Sequence, residues 1–143
     1  MARACLLLVL WLAAAPGWSQ PSSGALLCTG TLTQSPGMQW PKQTIEFSLA
    51  YGPGLVTPIK SDVEPLNVTV QMELDENALK AFEPQPRMPV AGNVLRVSAL
   101  QVSRQTGRFT LRAELARESS GVLVGSSVWE GSCTPASEKD RKF

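Results

Sequence analysis

Thr44-Ile45-Glu46-Phe47-Ser48-Leu49-Ala50-Tyr51 alternates side chain by side chain. Ile45, Phe47, Leu49 and Tyr51 share one face, and Thr44, Glu46, Ser48 and Ala50 share the other. This two-residue period belongs to a strand with one face in a core and one in water. The period returns in Val68, Val70, Met72 and Leu74 against Asn67, Thr69, Gln71 and Glu73, and again in Phe109, Leu111, Ala113 and Leu115 against Arg108, Thr110, Arg112 and Glu114. Strands wet on one face are typical of antiparallel sheets. Between Val94 and Val102 both faces are apolar or β-branched, which reads as a more central strand. Val122 to Cys133 supplies the last one.

Working outward, turn chemistry separates these runs: Gly52-Pro53-Gly54, Gln105-Thr106-Gly107 and Ser119-Ser120-Gly121. The Thr106-Gly107 turn joins its two strands at hairpin distance. Asp75 to Phe82 fits a short helical turn capped by Asp75 or an irregular strand, and Pro84 to Pro89 reads as a rigid loop between strands. Short strands with no helical run between them predict an all-β fold, a single antiparallel meander closed as a small barrel or packed as a sandwich. Pattern alone leaves both open.

The first residues belong to a different class of sequence. Arg3 is followed by an apolar run from Cys5 to Ala14 and then by Pro16, Gly17 and Ser19, the order of a secretory signal peptide. The run is about half of the ~20 residues a membrane-crossing helix needs. Cleavage is expected after Ser19, with Ala15 as the competing position. The expected layout is a leader at 1–19, a flexible segment at 20–27, a β-domain at 28–135 and a polar tail at 136–143. No second apolar stretch follows, so no membrane insertion is expected after cleavage.

Arg3 leaves with the leader, and the 13 Lys and Arg set against 12 Asp and Glu then balance. A near-neutral chain has no field to draw it to nucleic acid. Cys5 leaves as well, so the three cysteines become two, Cys28 and Cys133. In an oxidising compartment an even pair reads as a disulfide. If the first and last strands lie side by side, the bridge staples the seam of a barrel; in a sandwich it crosses between two sheets.

The chain contains no histidine. This removes the commonest general base, the usual serine and cysteine triads, and most catalytic metal sites. No cofactor is implied. Glycosidase chemistry needs only two carboxylates, and the candidates are Glu46, Glu73, Glu114 and Glu130. The first three fall on wet strand faces. Glu130, between Trp129 and Gly131, is the one to watch.

Three features point to binding instead. Arg104, Arg108 and Arg112 surround one hairpin and are candidates to contact an anion or a partner. Trp40, Tyr51, Phe82 and Trp129 would line the mouth of a barrel around a small apolar ligand, or else fill its core. Asn67-Val68-Thr69 is an N-glycosylation acceptor by sequence if the chain passes through a eukaryotic secretory pathway.

Cys28-Thr29-Gly30 after the leader, Ser103-Arg104-Gln105-Thr106-Gly107 after a β-branched run, Gly131-Ser132-Cys133-Thr134-Pro135 near the end and a terminal Phe143 together resemble small exported alphaproteobacterial proteins of unknown function. Those proteins share a Cys-x-Gly start, an Arg-x-Thr-Gly hairpin and a Cys-x-Pro finish. Ser103 stands where an acidic or amide residue is usual, and Thr134 where a basic one is usual. The resemblance implies a periplasmic setting and a Cys28 to Cys133 pairing, and it brings no activity. The expectation is therefore an exported, periplasmic or extracellular, non-enzymatic β-domain that binds a small ligand or an envelope protein. The alternatives are a structural periplasmic protein without ligand and a carboxylate-dependent hydrolase.

Overall fold

A strand with an unpaired edge leaves a row of amides exposed, and a meander whose last strand returns to its first covers both edges at once. The computed structural model, which describes residues 23–53, 56–85 and 88–136, takes that solution. The leader read at 1–19 and the polar tail beyond Ala136 lie outside the described residues.

The strands are β1 (Gly24–Gln34), β2 (Thr44–Tyr51), β3 (Val56–Ser61), β4 (Val68–Leu74), β5 (Ala78–Gln85), β6 (Met88–Val90), β7 (Asn93–Ser103), β8 (Arg108–Arg117) and β9 (Leu123–Pro135). Among the described residues the only helical element is a 3-10 turn, Glu64–Leu66. All pairings are antiparallel. Neighbours follow chain order, β9 returns to β1, and β5 meets β7, so β1 to β5 and β7 to β9 form a closed barrel. The barrel, not the sandwich, is the architecture. No described helix is long and apolar enough to cross a membrane.

The alternation read from the sequence sets what lies inside. Ile45, Phe47, Leu49 and Tyr51 are buried, as are Val68, Val70 and Met72, while their odd-man neighbours Glu46, Thr69 and Gln71 are exposed. Phe47 and Phe109 meet edge to face at 4.9 Å in the interior. Cys28 lies directly opposite Cys133 across the β1–β9 seam, with Cα atoms 4.0 Å apart, and the disulfide joins them inside the core. The two ends of the domain are thus bonded where the barrel closes.

Four details differ from the sequence reading. β1 begins at Gly24, so 24–27 are ladder and not a flexible segment; Leu26 is buried, and Gly24 pairs with Tyr51. The large apolar residues of 95–102 serve one face, while Val94 and Ala99 do not enter the core. A bulge between Val97 and Ala99 shifts the register, so Leu95 and Val97 before it and Leu100 and Val102 after it point inward. Of the two readings of 75–82 the irregular strand is the one that forms, as β5 from Ala78, and Asp75 caps a hairpin rather than a helix. Its Oδ1 accepts from the backbone N–H groups of Asn77 and Ala78 at 2.7 and 2.6 Å, and these bonds hold the carboxyl below its ordinary range. Finally, the described residues of the proline-rich interval, Pro84, Gln85, Met88 and Pro89, lie in strands rather than a loop. β5 pairs with β7 only through Ala78, Leu79 and Lys80, and β6 resumes at Met88 against Leu95.

The turn between β6 and β7 yields a direct test. Val90 pairs with Asn93 across Ala91 and Gly92, whose φ angles are 45° and 77°. Two positive φ values suit Asn-Gly, and an alanine held there costs roughly 1–2 kcal/mol. Ala91→Asn is expected to stabilise the protein by roughly 0.5–1 kcal/mol in urea unfolding. An unchanged or lower midpoint would contradict the left-handed turn.

Candidate functional site

Two residues inward from the cysteines, the β1–β9 seam pairs Gly30 with Gly131. Both face the interior, and neither has a side chain to fill it. The Phe109 ring occupies that space: a Cβ on Gly30 would lie 2.6 Å from Phe109 Cζ, and one on Gly131 would lie 2.8 Å from Phe109 Cε1. The two backbones therefore lie against the ring, and the barrel wall is drawn in at this pair.

On the outside the indentation is a hollow of about 760 Å³, lined across four strands. One row runs Glu46, Thr29, Ser132, Arg108 from β2 to β8, and the next runs Thr44, Thr31, Glu130, Thr110. Arg108 and Glu130 also border a second hollow of about 270 Å³ that extends over Gln101 and Ser103 of β7. The lining is hydroxyl-rich and carries both signs of charge. Among the described residues the side chains of Glu46, Arg108 and Glu130 make no ion pair or hydrogen bond with one another. Arg96, Arg112, Glu114, Lys42, Asp62, Lys80 and Asp75 are all engaged in pairs.

One end of the barrel is closed by the segment between β1 and β2. Trp40 packs edge to face on Trp129 at 4.7 Å. Its Nε1 donates to Ser127 Oγ at 2.6 Å, Ser35 Oγ lies 2.8 Å from the same oxygen, and Met38 Sδ accepts from it at 3.5 Å. Ser127 is fully buried on β9, so this hydroxyl is the point to which the cap is tied.

The rings proposed as ligand-lining are largely structural. Trp129 and Tyr51 are buried core, and Trp40 borders a surface hollow of about 390 Å³ beside Gln34, Gln39 and Gln43. Phe82 stands on β5 opposite Gln71, and its side chain lies outside the described ones.

The three arginines do not converge. Arg104 Nη1 donates to Asp75 O at 2.8 Å near the opposite end of the barrel. Burial pushes the Tyr51 hydroxyl above its ordinary range, and the Arg104 charge pulls it part of the way back. Arg112 Nε sits 3.5 Å from Glu114 Oε1, which shares its carboxylate with Arg96 at 2.8 Å. Arg108 alone reaches the hollow. Asn67 is exposed at the end of the 3-10 turn, ahead of β4, and does not line the hollow.

Among the described residues no three His, Cys, Asp or Glu side chains stand close enough to hold a metal ion. Gly30 and Gly131, which shape the hollow, stood in the sequence only as motif residues beside the cysteines, and Ser127, which ties the cap, was not singled out. The glycine pair had a signal, since direct pairing of Cys28 with Cys133 places Gly30 against Gly131. Comparison with protein-family models, curated proteins and solved structures finds no match for this chain.

Proposed function

We propose that this protein is an exported, non-enzymatic β-barrel that binds a polar small molecule or the polar surface of another exported protein in the hollow over Gly30 and Gly131. The observation that carries this reading is the set of uncommitted charges there. Glu46, Arg108 and Glu130 flank a concavity rich in threonine hydroxyls, and among the described residues their side chains enter no ion pair. Mixed charge and hydroxyl groups recognise ligands through directed hydrogen bonds, and a charged partner roughly doubles the strength of each. An aromatic interior tied by a disulfide leaves the outer wall as the place for a ligand. Export is supported by the disulfide, which persists in oxidising compartments.

Ligand-observed NMR of the secreted domain against sugars, amino acids and short peptides tests the reading, together with a pulldown from the exported fraction. Binding is expected that disappears in Arg108→Ala and Glu130→Gln while the unfolding midpoint stays put. A panel and pulldown without any hit would favour the second reading, a structural protein without ligand, which the filled interior supports. Turnover of a bound glycan that stops in Glu130→Gln would instead establish the carboxylate hydrolase.

A further inference from the structure

We infer that Asn67 is built to carry an N-linked glycan. The inference is independent of what the hollow binds. The acceptor triplet is Asn67-Val68-Thr69, and the fold treats its three residues differently. Val68 is buried and paired with Ile59, which anchors the segment, while Asn67 and Thr69 are exposed on either side of it.

Asn67 sits where a short 3-10 turn ends, with φ −73° and ψ 99°, and its backbone N–H donates to Glu64 O at 3.0 Å. Its side-chain Oδ1 accepts from the Ser61 N–H at 2.6 Å. That bond fixes which end of the amide faces the protein. The carbonyl oxygen is spent inward, and Nδ2, the atom to which the sugar is attached, makes no hydrogen bond among the described residues. Replacing one Nδ2 hydrogen by a sugar therefore leaves the Oδ1 bond to Ser61 in place.

The place in the barrel also accommodates a bulky substituent. Asn67 precedes β4, two strands from the β2 edge of the Gly30–Gly131 hollow, and its partner Ser61 pairs with Phe47 next to hollow-lining Glu46, so a glycan there starts beside the hollow and not over it. It would cover the exposed faces of β3 and β4. The inference concerns passage through a eukaryotic secretory pathway, where transfer occurs, and the disulfide and the leader read at 1–19 support export.

The reaction is a group transfer from a polyprenyl diphosphate oligosaccharide, catalysed by the host's transferase. The bond between the sugar anomeric carbon and the diphosphate oxygen breaks, and the bond from that carbon to Asn67 Nδ2 forms. Nδ2 gives up one proton to a base of the transferase, and the lipid diphosphate leaves with the electron pair. Nothing is oxidised or reduced.

The test is secretion of the full chain from an animal cell line, followed by intact-mass measurement before and after peptide N-glycosidase. The expected result is a glycosidase-sensitive mass increase of one core oligosaccharide, with Asn67 recovered as Asp carrying heavy oxygen when digestion is run in heavy-oxygen water. Asn67→Gln should abolish it. Because that change also disturbs the bond to Ser61, Thr69→Ala is the cleaner variant: it should abolish the glycan while the unfolding midpoint of the enzymatically deglycosylated wild type is retained. Thr69→Ser should keep the glycan. A secreted wild-type chain at its bare polypeptide mass overturns the inference, as does a glycan that survives Thr69→Ala.

Discussion

Replacing Cys28 and Cys133 together by alanine is expected to cost roughly 4–5 kcal/mol of unfolding free energy, the loop-closure entropy of a link across about 100 residues. The bridge spans a sequence separation of 105 and encloses nearly the whole barrel. Typical domains are stable by about 5–15 kcal/mol, so the loss would consume much of the total. Topology makes the effect larger here than for a link within one hairpin. β1 and β9 come from opposite ends of the chain, and their ladder is the least local in the fold. Without the link, closing the barrel must overcome that entropy before any seam contact forms. Two measurements separate entropy from packing. Guanidinium unfolding of the alanine pair gives the whole cost, and unfolding of the wild type under strong reductant keeps both sulfur atoms in the core. A reduced wild type nearly as unstable as the double variant supports the entropic account. A loss of less than about 1 kcal/mol in both would refute it.

The seam was also the most legible part of the molecule. Reading 1–19 as a leader left two cysteines, and their pairing placed the first and last strands together in one of the two open architectures. The alternation at 44–51, 68–74 and 108–115 then fixed which side chains enter the core. What was illegible has physical causes. β3 carries Pro58, which interrupts the composition of a strand, yet Thr57 and Ile59 face inward on either side of it. β7 looked apolar on both faces because a bulge reverses the parity midway, and periodicity alone cannot tell a bulge from a strand buried on two sides. Ser127 gave only a faint sign, a polar residue in step with inward-facing Trp129 and Cys133, since its partners Ser35, Met38 and Trp40 come from far along the chain. The hollow escaped notice for a related reason. Its polar residues read one strand at a time as ordinary wet faces, and only the four-strand register brings Glu46, Arg108 and Glu130 to one concavity.

A single methyl group at Gly131 should be the most damaging small substitution in the barrel. A Cβ there meets the Thr29 carbonyl oxygen, lies 2.5 Å from Gly30 Cα and 2.8 Å from Phe109 Cε1. The first two neighbours are backbone of the paired strand, and the third is a ring held edge to face by Phe47 at 4.9 Å. None is the loose end of a flexible side chain, so relief requires β1 and β9 to move apart beside the disulfide. Overpacking of this kind costs about 1–3 kcal/mol and more where backbone must yield, so Gly131→Ala is expected to lose roughly 3 kcal/mol or more. Shortening the ring should repay only part of this. Gly131→Ala combined with Phe109→Leu removes the ring contact and leaves the Thr29 contact, so the pair should be less destabilised than the sum of its single changes by about 0.5–3 kcal/mol, the range for coupled neighbours. Strict additivity would mean that the ring does not press on the glycine pair, and the account of the indented wall would fall with it. The same variant bears on function, because pushing the strands outward makes the hollow shallower without touching Arg108, Glu46 or Glu130. A folded Gly131→Ala protein that loses the hollow's ligand while keeping all three charges would show that concavity, and not charge alone, is what the glycines provide.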